Sequence, residues 1–241
     1  MQKHKIQILS TRELPVEIIQ QAAENDIAID CLSFINTEAV INDETKQKII
    51  KLASQEITSV FTSMNAVEAV ADIVTGKLNW NIYSIGYTTK ELVHEKLQAT
   101  IKGVADDAAA LADVIIKNKE QEVYFFCGDR RRDELPNTLK AAGIHVNEMI
   151  VYSTTLIKHK VEKQFDAILF YSPSAVKSFF LENKVAPDTV FFAIGKTTAA
   201  AILNYTHNKI ILAEQPGKIE LAQNMIHYFS NKKKTNEHIK E

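Results

Sequence analysis

An α/β protein made of two similar open parallel-sheet domains is the fold class that the sequence predicts, on three observations. Short β-rich runs alternate with longer helical patterns along the whole chain. Two separate motifs recur at one long offset, the mark of duplicated domains and not of a solenoid. A third motif recurs at a different offset, so the two halves carry insertions of unequal length.

The predicted strands are 6–9, 28–34, 59–61, 81–85, 123–127, 145–152, 167–171, 190–194 and 209–212. Each is rich in Ile, Val, Phe or Tyr, and several, such as Val123-Tyr124-Phe125-Phe126-Cys127, are apolar without a break, as strands covered on both faces are. Helical patterns separate them at 15–24, 45–54, 65–74, 90–97, 108–117, 136–142, 174–183, 198–204 and 219–229. With 7 Gly and 5 Pro in 241 residues there is no low-complexity linker.

The repeat organises these elements. Phe61-Thr62-Ser63-Met64-Asn65-Ala66-Val67 resembles Phe170-Tyr171-Ser172-Pro173-Ser174-Ala175-Val176, an offset of 109 residues. Ser84-Ile85-Gly86-Tyr87-Thr88-Thr89 and Ala193-Ile194-Gly195-Lys196-Thr197-Thr198 share the same offset of 109. Glu13-Leu14-Pro15 and Glu134-Leu135-Pro136, each opening a helix, lie 121 apart. The order is therefore 1–35, 60–105, then their counterparts 122–152 and 168–213. Pairing the first block with the last makes two doubly wound, flavodoxin-like domains: a discontinuous domain of 1–35 plus 155–241, and a second of 37–151. Crossing segments at 33–36 and 152–156 join them, a two-strand hinge suited to a cleft that opens and closes.

Composition narrows the function. A net charge of −2 and a pI of about 6.4 speak against nucleic acid as a partner. Cys31 and Cys127 lie in strand-like runs and read as reduced core thiols of a cytoplasmic protein. No His/Cys spacing suggests a metal site. Met1-Gln2-Lys3-His4-Lys5 leads directly into a strand, so no secretory signal is expected, and no apolar run is long enough for a membrane span. Lys232-Lys233-Lys234-Thr235-Asn236-Glu237 reads as a solvated tail.

Ligands of open parallel sheets bind beyond the carboxyl ends of the strands, where the repeated motifs fall. Ser172 reads as an N-cap with Pro173 at the first helical position, and the repeat places Ser63 at the matching cap. Thr88 and Glu91 read as a capping box, with Thr197 the counterpart of Thr88, and Gly86 and Gly195 allow sharp turns before them. These are either good caps and nothing more, or free helix N-termini that together hold a ligand with several anionic groups. One of Arg130, Arg131 and Arg132 can reach such a ligand; the others read as surface residues. There is no phosphate-loop, dinucleotide or serine-hydrolase motif, and Ser63 and Ser172 have no His or Asp beside them in sequence. His94, His145, His159 and His207 occupy no patterned position.

The segments 60–67, 82–89, 124–152, 167–176 and 192–199 resemble those of the uroporphyrinogen-III synthase family, in that family's order and over most of the chain from Ile6 to Phe229. The resemblance rests on the combination of the FxSPSAV segment, the AIGxTTA segment and the Gly-Asp-Arg run ending at Tyr152. It implies two α/β domains with the first discontinuous, no cofactor and no metal. The implied substrate is hydroxymethylbilane, a linear polycarboxylate tetrapyrrole, cyclised to the type III isomer with loss of water and inversion of the last ring. The implied catalysis is orientation, water exclusion and passage through a spiro intermediate. Tyr152 matches the family's candidate proton donor; packing at the hinge is the other reading of it. The positions implied for substrate binding are Thr62, Ser63, Asn65, Gly86, Thr89, Gly128 and Arg130 in one half. In the other they are Ser172, Ser174, Ala175, Gly195, Lys196, Thr197 and Thr198. Met64 departs from a family proline, and Tyr87 and Lys196 replace smaller or neutral residues. A cytoplasmic monomer, with transient handover from the preceding pathway enzyme and no membrane or nucleic-acid partner, is the family expectation. A bilobal, non-enzymatic module that senses a tetrapyrrole or another small polyanion is the alternative.

Overall fold

A computed structural model describes residues 5–215 and 217–238. Met1 to His4 of the expected leaderless N-terminus fall outside these. The chain separates into two compact units, Met1–Asn36 with Thr155–Glu241, and Thr37–Thr154.

The first unit is a five-stranded parallel sheet. Its strands are β1 (Ile6–Ser10), β2 (Ile27–Cys31), β9 (Ala167–Phe170), β10 (Val190–Ala193) and β11 (Ile210–Leu212), in the order β11-β10-β9-β1-β2. Strand residues alternate between two cores. Ile8, Leu169 and Phe192 face one built with α1 (Val16–Glu24) and α9 (Lys218–His238). Leu9, Ile168 and Phe170 face another built with α7 (Pro173–Glu182) and α8 (Lys196–Leu203).

The second unit has six strands: β3 (Ile35–Ala39), β4 (Ile57–Phe61), β5 (Trp80–Ile85), β6 (Thr100–Ala105), β7 (Glu122–Gly128) and β8 (His145–Leu156). Their order is β3-β8-β7-β4-β5-β6, parallel from β8 through β6. Phe61 and Phe126 stack in a core shared with α2 (Asp43–Ala53), α3 (Met64–Ala71) and α4 (Tyr87–Leu97). Val60, Phe125 and Cys127 face the opposite core with α5 (Ala108–Lys117) and α6 (Glu134–Ala141). Burial pushes the Cys127 thiol up to about 11, so it stays protonated.

Several expected boundaries move. The strand expected over 28–34 ends at Cys31; Phe34 instead fills the first unit's core, edge-on to Phe179 and His159. β3 and β6 were not expected. Both are edge strands, and the burial of β6 alternates only between exposed and half-buried, which blurs the apolar period. Gly103 in β6 makes room for Tyr83: a Cβ there would lie 2.8 Å from the Tyr83 ring. β8 runs four residues beyond the expected end at Tyr152, to Leu156. The helix expected to end at Phe229 continues to His238, so the stretch read as a solvated tail is helical.

Candidate functional site

At the carboxyl edge of the second unit, β4 ends at Phe61 and the chain turns through Thr62 into α3. Ser63 is the N-cap, its Oγ accepting from the Asn65 amide at 3.2 Å. The extended backbone of Ser63 and its short hydroxyl suit this role. On the neighbouring strands, β7 and β8 are in step until Cys127 pairs with Ile150, and then Gly128 pairs with Tyr152. One extra residue on β8 makes this a bulge, and a bulge re-aims a side chain. By strict alternation Tyr152 would share the outer face of the exposed Ile150. Instead Tyr152 packs with Val151 against the α2–α3–α4 core. Its ring lies close on Gly128, where a Cβ would sit 2.5 Å from Cζ.

Burial pushes the pKa of the Tyr152 phenol up; a hydrogen bond with Ser63 opposes this, and Cys127 and Asp129 push it further up. The group is therefore a neutral hydrogen-bond donor throughout the ordinary pH range. Arg130, expected to reach substrate, donates Nε to the Thr154 carbonyl at 2.7 Å and makes no ion pair among the described residues. Arg131 is occupied by Asp133 and Glu148, and Lys140 joins Glu148 at 2.6 Å.

The capping box expected at Thr88 and Glu91 does not form. Gly86, at φ 77°, turns the chain straight from β5 into α4, so Tyr87 is already helical and Thr88 lies inside the first turn. Thr89 is buried. The same shift occurs at Gly195, which caps α8, with Lys196 first in the helix, Thr197 next and Thr198 buried. Gly195 is extended, and a Cβ there would meet nothing within 4 Å, so the sharp glycine turn expected there is absent. Neither α4 nor α8 has a side-chain cap, which leaves their first amides for another acceptor. Ser172 does cap α7, accepting from the Ala175 amide at 3.2 Å, with Pro173 first in the helix and Ser174 half-buried beside it.

Tyr171 carried no sequence signal of its own. It stands where the repeat has Thr62, at the carboxyl edge of the first unit, its OH 3.4 Å from Ser10 Oγ, which donates to the Arg12 carbonyl at 2.6 Å. Burial, with Cys31 adding and Ser10 and Arg12 opposing, pushes its phenol up to about 12. Each unit thus holds one half-buried phenol near a serine at its carboxyl edge.

No group of three or more His, Cys, Asp or Glu able to hold a metal is found among the described residues. Among these residues no helix is long and apolar enough to cross a membrane. A hollow in the first unit lies at the other end of its sheet, near Phe165, Phe179 and Asn183, where the Asn183 amide group is fully engaged with backbone.

The family model described as uroporphyrinogen-III synthase HemD matches residues 17–223. This chain belongs to the uroporphyrinogen-III synthase family. Uroporphyrinogen-III synthase of Saccharomyces cerevisiae is 29% identical over 113 residues, 41% of this chain and 41% of the yeast protein, so the aligned part spans under half of that relative. A mutant uroporphyrinogen III synthase of Thermus thermophilus has the same fold, with TM-score 0.65, 14% identity and coverage of 94% of this chain and 99% of that one. Uroporphyrinogen-III synthetase of Helicobacter pylori follows at TM-score 0.62 and 14% identity, over 92% and 99%. The two-sheet α/β architecture read from the repeats is the synthase fold.

Proposed function

We propose that the protein cyclises hydroxymethylbilane to uroporphyrinogen III, with loss of water and inversion of the last pyrrole ring. The observation that carries this is the Tyr152 phenol in a chain of the synthase family. A bulge turns it onto the Ser63 cap, and it stays protonated at the sheet edge where α4 opens uncapped. Family membership favours the enzyme over the non-enzymatic module.

The chemistry demands little covalent help. Departure of the substrate hydroxyl as water leaves a cation that closes to the type I ring if nothing intervenes. The protein must hold the chain so that the substituted carbon of the last ring attacks first, giving the spiro intermediate. The substrate is a polycarboxylate, and the uncapped first turns of α4 and α8 present amides and positive dipole ends to such groups. Exposed Lys196 adds a cation at α8. Ser63, Asn65, Ser172 and Ser174 shape the neighbouring loops. Tyr152 donates the proton that leaves with the hydroxyl. Arg130 contributes by holding backbone through Nε, which leaves its other guanidinium nitrogens for a substrate carboxylate.

The same reading makes the protein a cytoplasmic monomer that receives its unstable substrate from the enzyme that makes it. The test is a coupled assay. Hydroxymethylbilane is generated in place, the protein is added, and the oxidised porphyrins are separated. Predominantly type III product, against type I in the blank, is expected; type I alone from folded protein rejects the reading.

A further inference from the structure

The bulge takes β8 out of step with β7 at Tyr152; β8 runs on to Leu156 with β3 on its other side, so it is the β7 side of this stretch that needs another hold. The loop after β7 provides it with three hydrogen bonds. The Asp129 amide donates to the Tyr152 carbonyl at 3.1 Å. The Thr154 amide donates to Asp129 Oδ1 at 2.9 Å. Arg130 Nε donates to the Thr154 carbonyl at 2.7 Å. Two consecutive residues thus grip both backbone polar groups of Thr154 and the carbonyl of Tyr152 itself. Asp129 is exposed, yet one of its carboxylate oxygens is spent on a main-chain amide of a strand whose ladder with β7 has already ended. A charged acceptor on a backbone amide is about twice as strong as a neutral one. The bulge costs β8 its regular pairing at this point, and the grip of Asp129 restores a partner to the displaced amide.

We propose that Asp129 is a positioning residue for the reaction: its carboxylate, holding the Thr154 amide, fixes the β7 side of the bulged stretch of β8 and so the aim of the Tyr152 phenol. This rests on the reading of Tyr152 as proton donor. Asp129 does not touch the reacting atoms; it acts through the strand. Its charge has a second effect, since the groups facing the phenol are Ser63, Cys127 and Asp129, and of these only the Asp129 carboxylate carries a charge.

The test compares Asp129→Ala and Asp129→Asn with wild type and Tyr152→Phe in single-turnover kinetics, with the Thr154 amide followed by hydrogen exchange. Asp129→Ala should lower turnover about tenfold with KM within about twofold, as misplacement of a catalytic group does. The Thr154 amide should exchange faster in the same variant. Asp129→Asn keeps an acceptor oxygen and should retain turnover within about threefold. It removes the charge, so the carbon-13 resonance of the Tyr152 ring should titrate at lower pH than in wild type. Wild-type turnover in Asp129→Ala, alongside a slow Tyr152→Phe, overturns the proposal. So does a raised KM with unchanged turnover, which would place Asp129 on the substrate, and so does unaltered Thr154 exchange. Wild-type turnover in Tyr152→Phe removes the reading beneath it. Should Asp129→Ala fail to fold, the Asp129→Asn titration decides: an unmoved Tyr152 resonance overturns the coupling.

Discussion

Gly128 is a glycine because of its neighbour. Its backbone is ordinary strand, yet a Cβ there would lie 2.5 Å from Tyr152 Cζ and 2.9 Å from the phenol oxygen. Gly128→Ala must therefore push the ring off its seat. A stability loss of about 1–3 kcal/mol is expected from such overpacking, with a larger proportional loss of turnover. Denaturant titration beside single-turnover rates checks it. Ser84 offers the opposite sign. Its hydroxyl and that of Ser59 are fully buried without a hydrogen-bond partner among the described residues, on the face of the sheet that packs against α2, α3 and α4. An unpaired buried hydroxyl keeps its desolvation cost, so Ser84→Ala should be neutral or stabilising by about 1 kcal/mol. A clear drop in the denaturation midpoint would show that the hydroxyl has a partner after all.

Elements show what could be read in advance and what could not. Ser63 and Ser172 were legible as caps because a cap is local: a short polar side chain, extended backbone and a helix immediately after. Thr88 and Thr197 carry the same local signature, but the glycine before each starts the helix early. The bulge in β8 left no mark in the sequence, because Met149 to Tyr152 reads as unbroken apolar strand and the extra residue exists only relative to β7. The grip of Asp129 on Thr154 spans 25 residues and was equally invisible. At the other end of the second unit's sheet, Glu120 accepts from Thr58 Oγ1 at 2.8 Å and Tyr83 OH at 2.7 Å and pairs with Lys102 at 2.7 Å. Burial alone would raise its carboxyl, but Lys102, Tyr83 and Thr58 outweigh burial and hold it below the usual range. A carboxylate with a depressed folded value stabilises above its unfolded value and loses that contribution as pH falls through the folded one. Glu120→Gln should therefore cost about 1–3 kcal/mol at neutral pH. The gap to wild type should close below about pH 4.5. Parallel pH–stability curves for the two proteins would contradict this.

On the scale of the molecule, a duplicated architecture has become chemically unequal. Both units end their sheets in helix N-termini, and each half-buries a phenol near a serine at that edge. The phenols are not equivalent. Tyr171 follows β9 directly in the repeated motif, where the other half has Thr62, and its edge serine comes from β1. Tyr152 stands on β8, the strand that leads out of the second unit, and is aimed by a bulge and a glycine. Proton transfer falls to Tyr152 alone, and Tyr171 has a packing role in its own unit. The measurement that bears on this most directly is single-turnover cyclisation of hydroxymethylbilane by Tyr152→Phe and Tyr171→Phe, with both proteins shown to melt near wild type. Loss of a proton donor is worth about 10²–10⁴ in rate. Tyr152→Phe should fall into that range while Tyr171→Phe stays within a few-fold of wild type; wild-type turnover in Tyr152→Phe would contradict the account.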